Sequence, residues 1–107
     1  MDKDLTFIER FDRLRAAAKA AGFPLVTERG KGTAAESWTR ALIALHMYRA
    51  GAIDRYIGTL LNRQRSSITA MRIRADIALE RPEMYHEVAS IDNQIRKAYH
   101  DIYGQNL

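Results

Sequence analysis

Apolar residues recur at intervals of three and four along nearly the whole chain, the spacing of one face of an α-helix. Near the N-terminus that face is Leu5, Ile8, Phe11, Leu14, Ala18 and Ala21. Gly22 supplies a C-terminal stop, and Pro24 follows it two residues on. The stretch GFPLVTERGKGT then holds three glycines and a proline and reads as a loop. Thr33 and Glu36 have the spacing of a capping box, in which each side chain bonds the other's backbone amide. A second helix is predicted from there, with Trp38, Ala41, Leu42, Leu45 and Tyr48 on its core side and Gly51 at its end. A short helix carries Ile53, Tyr56, Ile57, Leu60 and Leu61, and Asn62 to Arg65 form a tight polar turn. Ser66 or Ser67 suits the N-cap of a fourth helix whose inward face is Ile68, Met71, Ala75 and Leu79. Pro82 suits the first position of a fifth helix. Its inward face is Tyr85, Val88, Ile91, Ile95, Ala98 and Ile102, and Gly104 is its stop.

No strand pattern, internal repeat or low-complexity tract interrupts this rhythm. The expected architecture is all-α, with about five helices in one domain over residues 1–107. Within it, 1–32 hold the N-terminal helix and a basic loop, and 33–107 hold a helix-turn-helix core with a C-terminal helix. Ile73 and Ile77 point away from the Ile68/Met71/Ala75 face. Either the fifth helix folds back over them or a second copy covers them in a homodimer, and a chain this compact favours internal cover.

Composition narrows the class. The chain has 107 residues, 47% hydrophobic and 28% charged, a globular balance at a common domain size. It has no cysteine, which rules out a disulfide framework and thiolate metal sites and fits a reducing compartment. The opening MDKDLTFIER lacks the basic start and apolar run of a signal peptide, and no run approaches a membrane span. A cytoplasmic location is expected.

Charge changes the picture more. The formal net charge is +4, but it is unevenly spread. Residues 1–30 carry +1 and residues 75–107 carry −3. Residues 31–74 carry +6, from Lys31, Arg40, Arg49, Arg55, Arg63, Arg65, Arg72 and Arg74 against Glu36 and Asp54. A central basic zone beside an acidic C-terminal segment points to a face for a polyanion.

The zone coincides with the short helix, the turn and the start of the fourth helix. Two helices joined by a turn of about four residues form a helix-turn-helix, whose second helix enters the major groove by its N-terminus. Gln64 and Arg65 stand just before that N-terminus, and Ser66 and Ser67 stand on it. Helix N-terminal amides favour phosphate. Glutamine pairs bidentately with adenine and arginine with guanine. Arg72 and Arg74 lie two turns along, within reach of flanking backbone.

The stretch YIGTLLNRQRSSITAMRIRADI resembles the signature of the C-terminal DNA-binding domain (domain IV) of the bacterial chromosomal replication initiator DnaA, a Trp-repressor-like fold. Ile57-Gly58 matches that family's Ile-Gly pair. Arg63, Gln64, Arg65, Ser66, Ser67 and Ile68 match its Arg-Asp-His-Thr-Thr-Val-type string. RALIALHMYRAG resembles the alanine-rich helix upstream, and ERPEMYHEVASIDNQIRKAY the closing helix, so the likeness spans about Thr33 to Tyr103. The resemblance implies that Gln64, Arg65 and Ser66 face base edges. It implies that Arg63, Ser67, Arg72 and Arg74 serve the DNA backbone, and that Arg29 and Lys31 in the basic loop reach the minor groove. Gln64-Arg65 replaces the family's Asp-His, so the site read differs from the initiator's own box. The chain lacks the Gly-x-x-x-x-Gly-Lys-Ser/Thr loop of the initiator's ATPase, so no nucleotide is expected. A stand-alone DNA-binding protein serving regulation, replication or a mobile element is the expectation.

The remaining chemistry is sparse. His46, His86 and His100 are too far apart for a ligand set, and no cofactor or metal is expected. No nucleophile–base pair or paired carboxylates point to an enzyme. His46 reads as a helix residue at the core's edge, and Trp38 and Tyr48 as packing residues. Tyr99 and Tyr103 close the far end of the last helix, and Arg49 and Arg55 read as solvated charge. The rival class is a helical interaction module whose basic face meets an acidic protein, but such a module has no need of glutamine and serines at a helix N-terminus between arginines.

Overall fold

The computed structural model describes residues 5–30 and 32–107, and among them it contains five α-helices and no strand. They are α1 (Phe7–Ala20), α2 (Ala34–Arg49), α3 (Asp54–Leu61), α4 (Arg65–Glu80) and α5 (His86–Tyr103). No helix among the described residues is long and apolar enough to cross a membrane.

The first two helices start on capping boxes. In α2 the Thr33 hydroxyl accepts from the Glu36 amide at 3.0 Å, and the Thr33 amide donates to the Glu36 carboxylate at 2.8 Å. Thr6 and Glu9 repeat the arrangement on α1. In each box the bond from the threonine amide holds the glutamate carboxyl below the usual carboxylate range.

α2 is the axis of the fold. Ala41 to Met47 are buried without a break, as befits a helix with neighbours on every side. All four other helices pack on it, while α1 also packs on α5 and α3 on α4. Leu14, Leu42, Met47, Ile57, Leu61, Ile68, Ile95 and Tyr99 join the five helices in one core. Each such aliphatic side chain contributes about 1.5–3 kcal/mol by its burial.

Several sequence expectations shift. The fourth helix begins at Arg65 with Gln64 as N-cap, so neither Ser66 nor Ser67 caps it. The reason lies in how α3 ends. Asn62 adopts the left-handed region (φ 56°), and the amides of Asn62 and Arg63 both donate to the Gly58 carbonyl. That closure uses up the turn in three residues and starts α4 two or three positions earlier than a serine cap would. Pro82 lies in a turn rather than at the head of α5, which starts at His86. Proline lacks an amide and pushes the preceding residue out of the helical region, which ends α4. The Arg81 carbonyl then accepts from both Met84 and Tyr85 amides before α5 starts.

The buried faces also rotate. Ile8 and Ile102 are exposed, and Ala17 and Tyr99 are buried in their helices instead. Tyr48 is exposed with a guanidinium over its ring, so it is not a core residue. Ile73 and Ile77 are 46% and 50% exposed, so α5 does not fold back over them.

His46 is buried deeper than its edge position suggests. Its Nε2 lies 2.7 Å from Asp92 Oδ1, with both side chains only 6% exposed. Arg96 Nε donates to the other carboxylate oxygen at 2.8 Å. Burial raises the Asp92 pKa, but the bonds from His46 and Arg96 prevail and hold it below the usual carboxylate range.

Candidate nucleic-acid interface

The site forms where α3, its turn, α4 and the loop before α2 meet. Gly58 makes the junction possible. A Cβ there would run into the Arg63 backbone carbonyl and stand 3.5 Å from Ile68 Cγ1. A missing side chain thus lets the turn close directly over α3.

Arg63 then fastens the loop to the turn. Its guanidinium donates to the Thr27 carbonyl at 2.7 Å, to Asn62 at 3.0 Å, to Leu61 at 3.2 Å and to Glu28 at 3.4 Å. Sequence reasoning assigns this side chain to phosphate, but its donors are spent largely on carbonyls, and its immediate work is structural. Burial lowers its pKa from the ordinary arginine value, and nearby Arg40 and Arg29 lower it further. Three guanidinium groups therefore converge without a carboxylate among the lining residues.

They converge on two shallow clefts. One, of about 370 Å³, is lined by Arg29, Gly30, Arg40, Arg63, Gln64 and Ser67. Its neighbour, of about 510 Å³, shares Arg29, Arg63 and Gln64 and adds Arg55, Thr59 and Arg65 among its walls. Arg40 donates to the Val26 carbonyl at 3.0 Å, while its Nε is buried with no hydrogen-bond partner. Sequence reasoning counted Arg40 in the basic zone and gave it no role. Its place is set by loop closure across 14 residues, which helical spacing does not encode.

Between the clefts stand Gln64, Arg65, Ser66 and Ser67, all exposed and making no side-chain hydrogen bond among the described residues. The first turn of α4 contains no acidic residue. The predicted readers and Arg29 are thus brought to one edge of the molecule. Lys31 falls outside the described residues.

Arg72 and Arg74 do not join that edge. Arg72 makes a bidentate pair with Asp54, Nε to Oδ1 at 2.7 Å and Nη2 to Oδ2 at 2.9 Å, and lies 3.6 Å above the centre of the Tyr48 ring. The bonds from Arg72, against the opposing effect of burial, hold the Asp54 carboxyl below its usual range, helped by the Thr69 hydroxyl at 2.7 Å. Arg74 occupies the opposite flank of α4, donating to Ser37 Oγ at 3.0 Å and lying 4.5 Å from the Trp38 ring centre. Arg49, read as solvated charge, is paired with Asp76 at 2.7 Å. Half of the arginines in the basic stretch from 63 to 74 are therefore partnered on the flanks of α4, and those left over lie at its N-terminus or beneath it.

No cluster of potential metal ligands occurs among the described residues. Comparison with known proteins found no matching family model, no matching curated protein and no matching solved structure.

Proposed function

We propose that this protein binds double-stranded DNA, with sequence preference, by placing the N-terminal end of α4 in the major groove, and that it is not an enzyme. The observation that carries this reading is the exposed run Gln64–Arg65–Ser66–Ser67 between two arginine-lined clefts, with no acid in the first turn of α4. α3, the turn and α4 then act as a helix-turn-helix. The likeness of Ile57-Gly58 and Arg63–Ile68 to the C-terminal domain of DnaA supports the same assignment and a Trp-repressor-like fold.

Roles follow from the geometry. Gln64, Arg65 and Ser66 meet base edges, since their polar groups are uncommitted. Ser67, Arg29 and Arg40 take backbone phosphate, because crowded guanidinium groups held in no ion pair gain most from an anion. Arg63 holds the loop so that Arg29 meets phosphate at the edge of the adjacent minor groove; the same role for Lys31 rests on the resemblance alone. Arg72 stiffens α4 through Asp54 and Tyr48, and Arg74 reaches backbone from its flank. A replication-associated or regulatory role, in the cytoplasm, fits such a protein.

The test is affinity for a duplex selected from a random pool and for a scrambled duplex, across a salt series. About four phosphate contacts imply a log–log slope of roughly −3 to −4. Tighter binding of the selected duplex with that slope is the expected result. A flat salt response, or equal affinity for acidic polypeptide and both duplexes, would return the chain to the class of basic-faced interaction modules.

A further inference from the structure

Ser66, Ala70, Ile73 and Ile77 are spaced by four, three and four residues, so they form one stripe along α4. All four are exposed. The stripe lies opposite the buried line of Ile68 and Ala75. On one flank Thr69, Arg72 and Asp76 are bonded to Asp54 or Arg49. On the other flank Arg74 is held by Ser37 and Trp38. From Ala70 to Ile77, then, the outermost face of α4 offers no donor and no acceptor, and the exposed Glu80 carboxylate ends the apolar stretch at the last turn. It offers a methyl group at Ala70 and a branched aliphatic chain at Ile73.

This stripe continues the line of the proposed base readers, and it restricts what they read. We infer that Ala70 and Ile73 sense the 5-methyl group of a pyrimidine, thymine in the first instance, in the site read by Arg65 and Ser66. The inference rests on the DNA-binding reading and deepens it. The pyrimidine 5-methyl is the apolar group that the major groove presents among its hydrogen-bonding edges, and alanine is a known class of partner for it. A helix rises about 1.5 Å per residue, so Ile73 lies roughly 10 Å along α4 from Ser66. That is inside the roughly 12 Å width of the groove. Ile77 lies roughly 16 Å from Ser66 by the same rise and falls outside it. The stripe therefore has a reading part and a part beyond the groove. A second copy of the chain is the other occupant that an exposed Ile73–Ile77 face could take. It is disfavoured here because the stripe starts at Ser66, flanked in the chain by Arg65 and Ser67 on the walls of two arginine-lined clefts that would repel their own copies.

The experiment uses the full chain and a duplex selected from a random pool. Each thymine is replaced in turn by uracil, which lacks only the methyl group. One or two positions are expected to lose about three- to five-fold in affinity, the order for burying one methyl group. Ile73→Ala is expected to remove that sensitivity, and Ile77→Ala to leave it intact. Cytosine and 5-methylcytosine at the sensitive positions identify the source. Recovery with 5-methylcytosine means that the methyl group alone is read, and no recovery means that the thymine ring is needed too. Both keep the contact. Tight, salt-dependent binding with no uracil effect at any position overturns the inference while leaving the DNA reading standing. So does an Ile73→Ala variant that keeps full uracil sensitivity, or one that changes sedimentation from dimer to monomer. Failure to bind the unmodified duplex at all overturns both.

Discussion

Two groups of charges in this molecule look alike in the sequence and differ in kind. His46, Asp92 and Arg96 lie between α2 and α5, where an imidazole and a guanidinium meet one buried carboxylate at 2.7 and 2.8 Å. Arg29, Arg40 and Arg63 lie between the loop and α4, where like charges crowd and no carboxylate pairs with them directly, Glu36 acting on Arg40 only through its field. The first group is closed: its polar groups satisfy one another and hold two helices together. The second is open: its arrangement costs stability through mutual repulsion and gains from any anion that enters. A charge whose counter-ion lies in the same chain reads as structure, and one without reads as a site.

The contrast breaks most sharply at Asp92. Asp92→Ala leaves His46 and Arg96 facing a buried gap, and a loss of about 3–5 kcal/mol is expected from denaturant titration. Duplex affinity of the folded fraction should stay unchanged. The same carboxylate predicts a pH dependence. Its pKa is lowered in the fold, so its stabilisation is fully present above the unfolded value of about 3.9 and is lost as pH falls through the depressed folded value. Denaturation midpoints measured between pH 3 and pH 6 should fall more steeply on the acid side for the wild type than for Asp92→Asn. Parallel curves would mean that the pair contributes no net stability.

Gly58→Val attacks the open group through its scaffold. The new side chain must displace the Arg63 carbonyl, so a destabilisation of about 3 kcal/mol is expected, with duplex affinity falling alongside it. A stable variant that binds normally would show that the turn tolerates reopening.

Arg65→Ala should leave stability within about 0.5 kcal/mol, because the side chain makes no internal hydrogen bond. Binding to the selected duplex should weaken by about 1–3 kcal/mol, with discrimination relaxed at one or two base pairs. Arg74→Ala should instead weaken selected and scrambled duplexes equally and flatten the salt slope by about 1. Identical behaviour of the two variants would reduce the basic edge to a general polyanion patch.

The smallest effect sharpens the comparison most. Arg29→Gln relieves repulsion at Arg63, so stability should hold or rise within about 0.5 kcal/mol even as the salt slope becomes shallower by about 1. A clear loss of stability would place Arg29 in the closed class with Arg96.

Local rules settled much of this molecule in advance. Five helices, the Thr33–Glu36 box, the stops at Gly51 and Gly104 and the loop before α2 all depend on residues within a few positions of one another. Helical periodicity and capping are functions of that short range. The start of α4 lies two or three residues before the serine caps that local rules favour, because Asn62 in the left-handed region closes the turn early. Gln64, Arg65, Ser66 and Ser67 were legible as a group for the same local reason: they are consecutive and sit at a helix boundary.

What the sequence could not decide was which charges would be answered. Asp54 meets Arg72 across 18 residues, Arg63 meets the Thr27 carbonyl across 36 and His46 meets Asp92 across 46. Nothing in the spacing of a helix distinguishes Arg65, left exposed, from Arg72, clamped between a carboxylate and a ring. The burial of Asp92 on an apolar face, and the exposure of the apolar stripe through Ile73 and Ile77, are fixed in the same way. Periodicity states which side of a helix is apolar, and only the packing of α2 against its neighbours states how much of each side is covered and which cations remain without a partner.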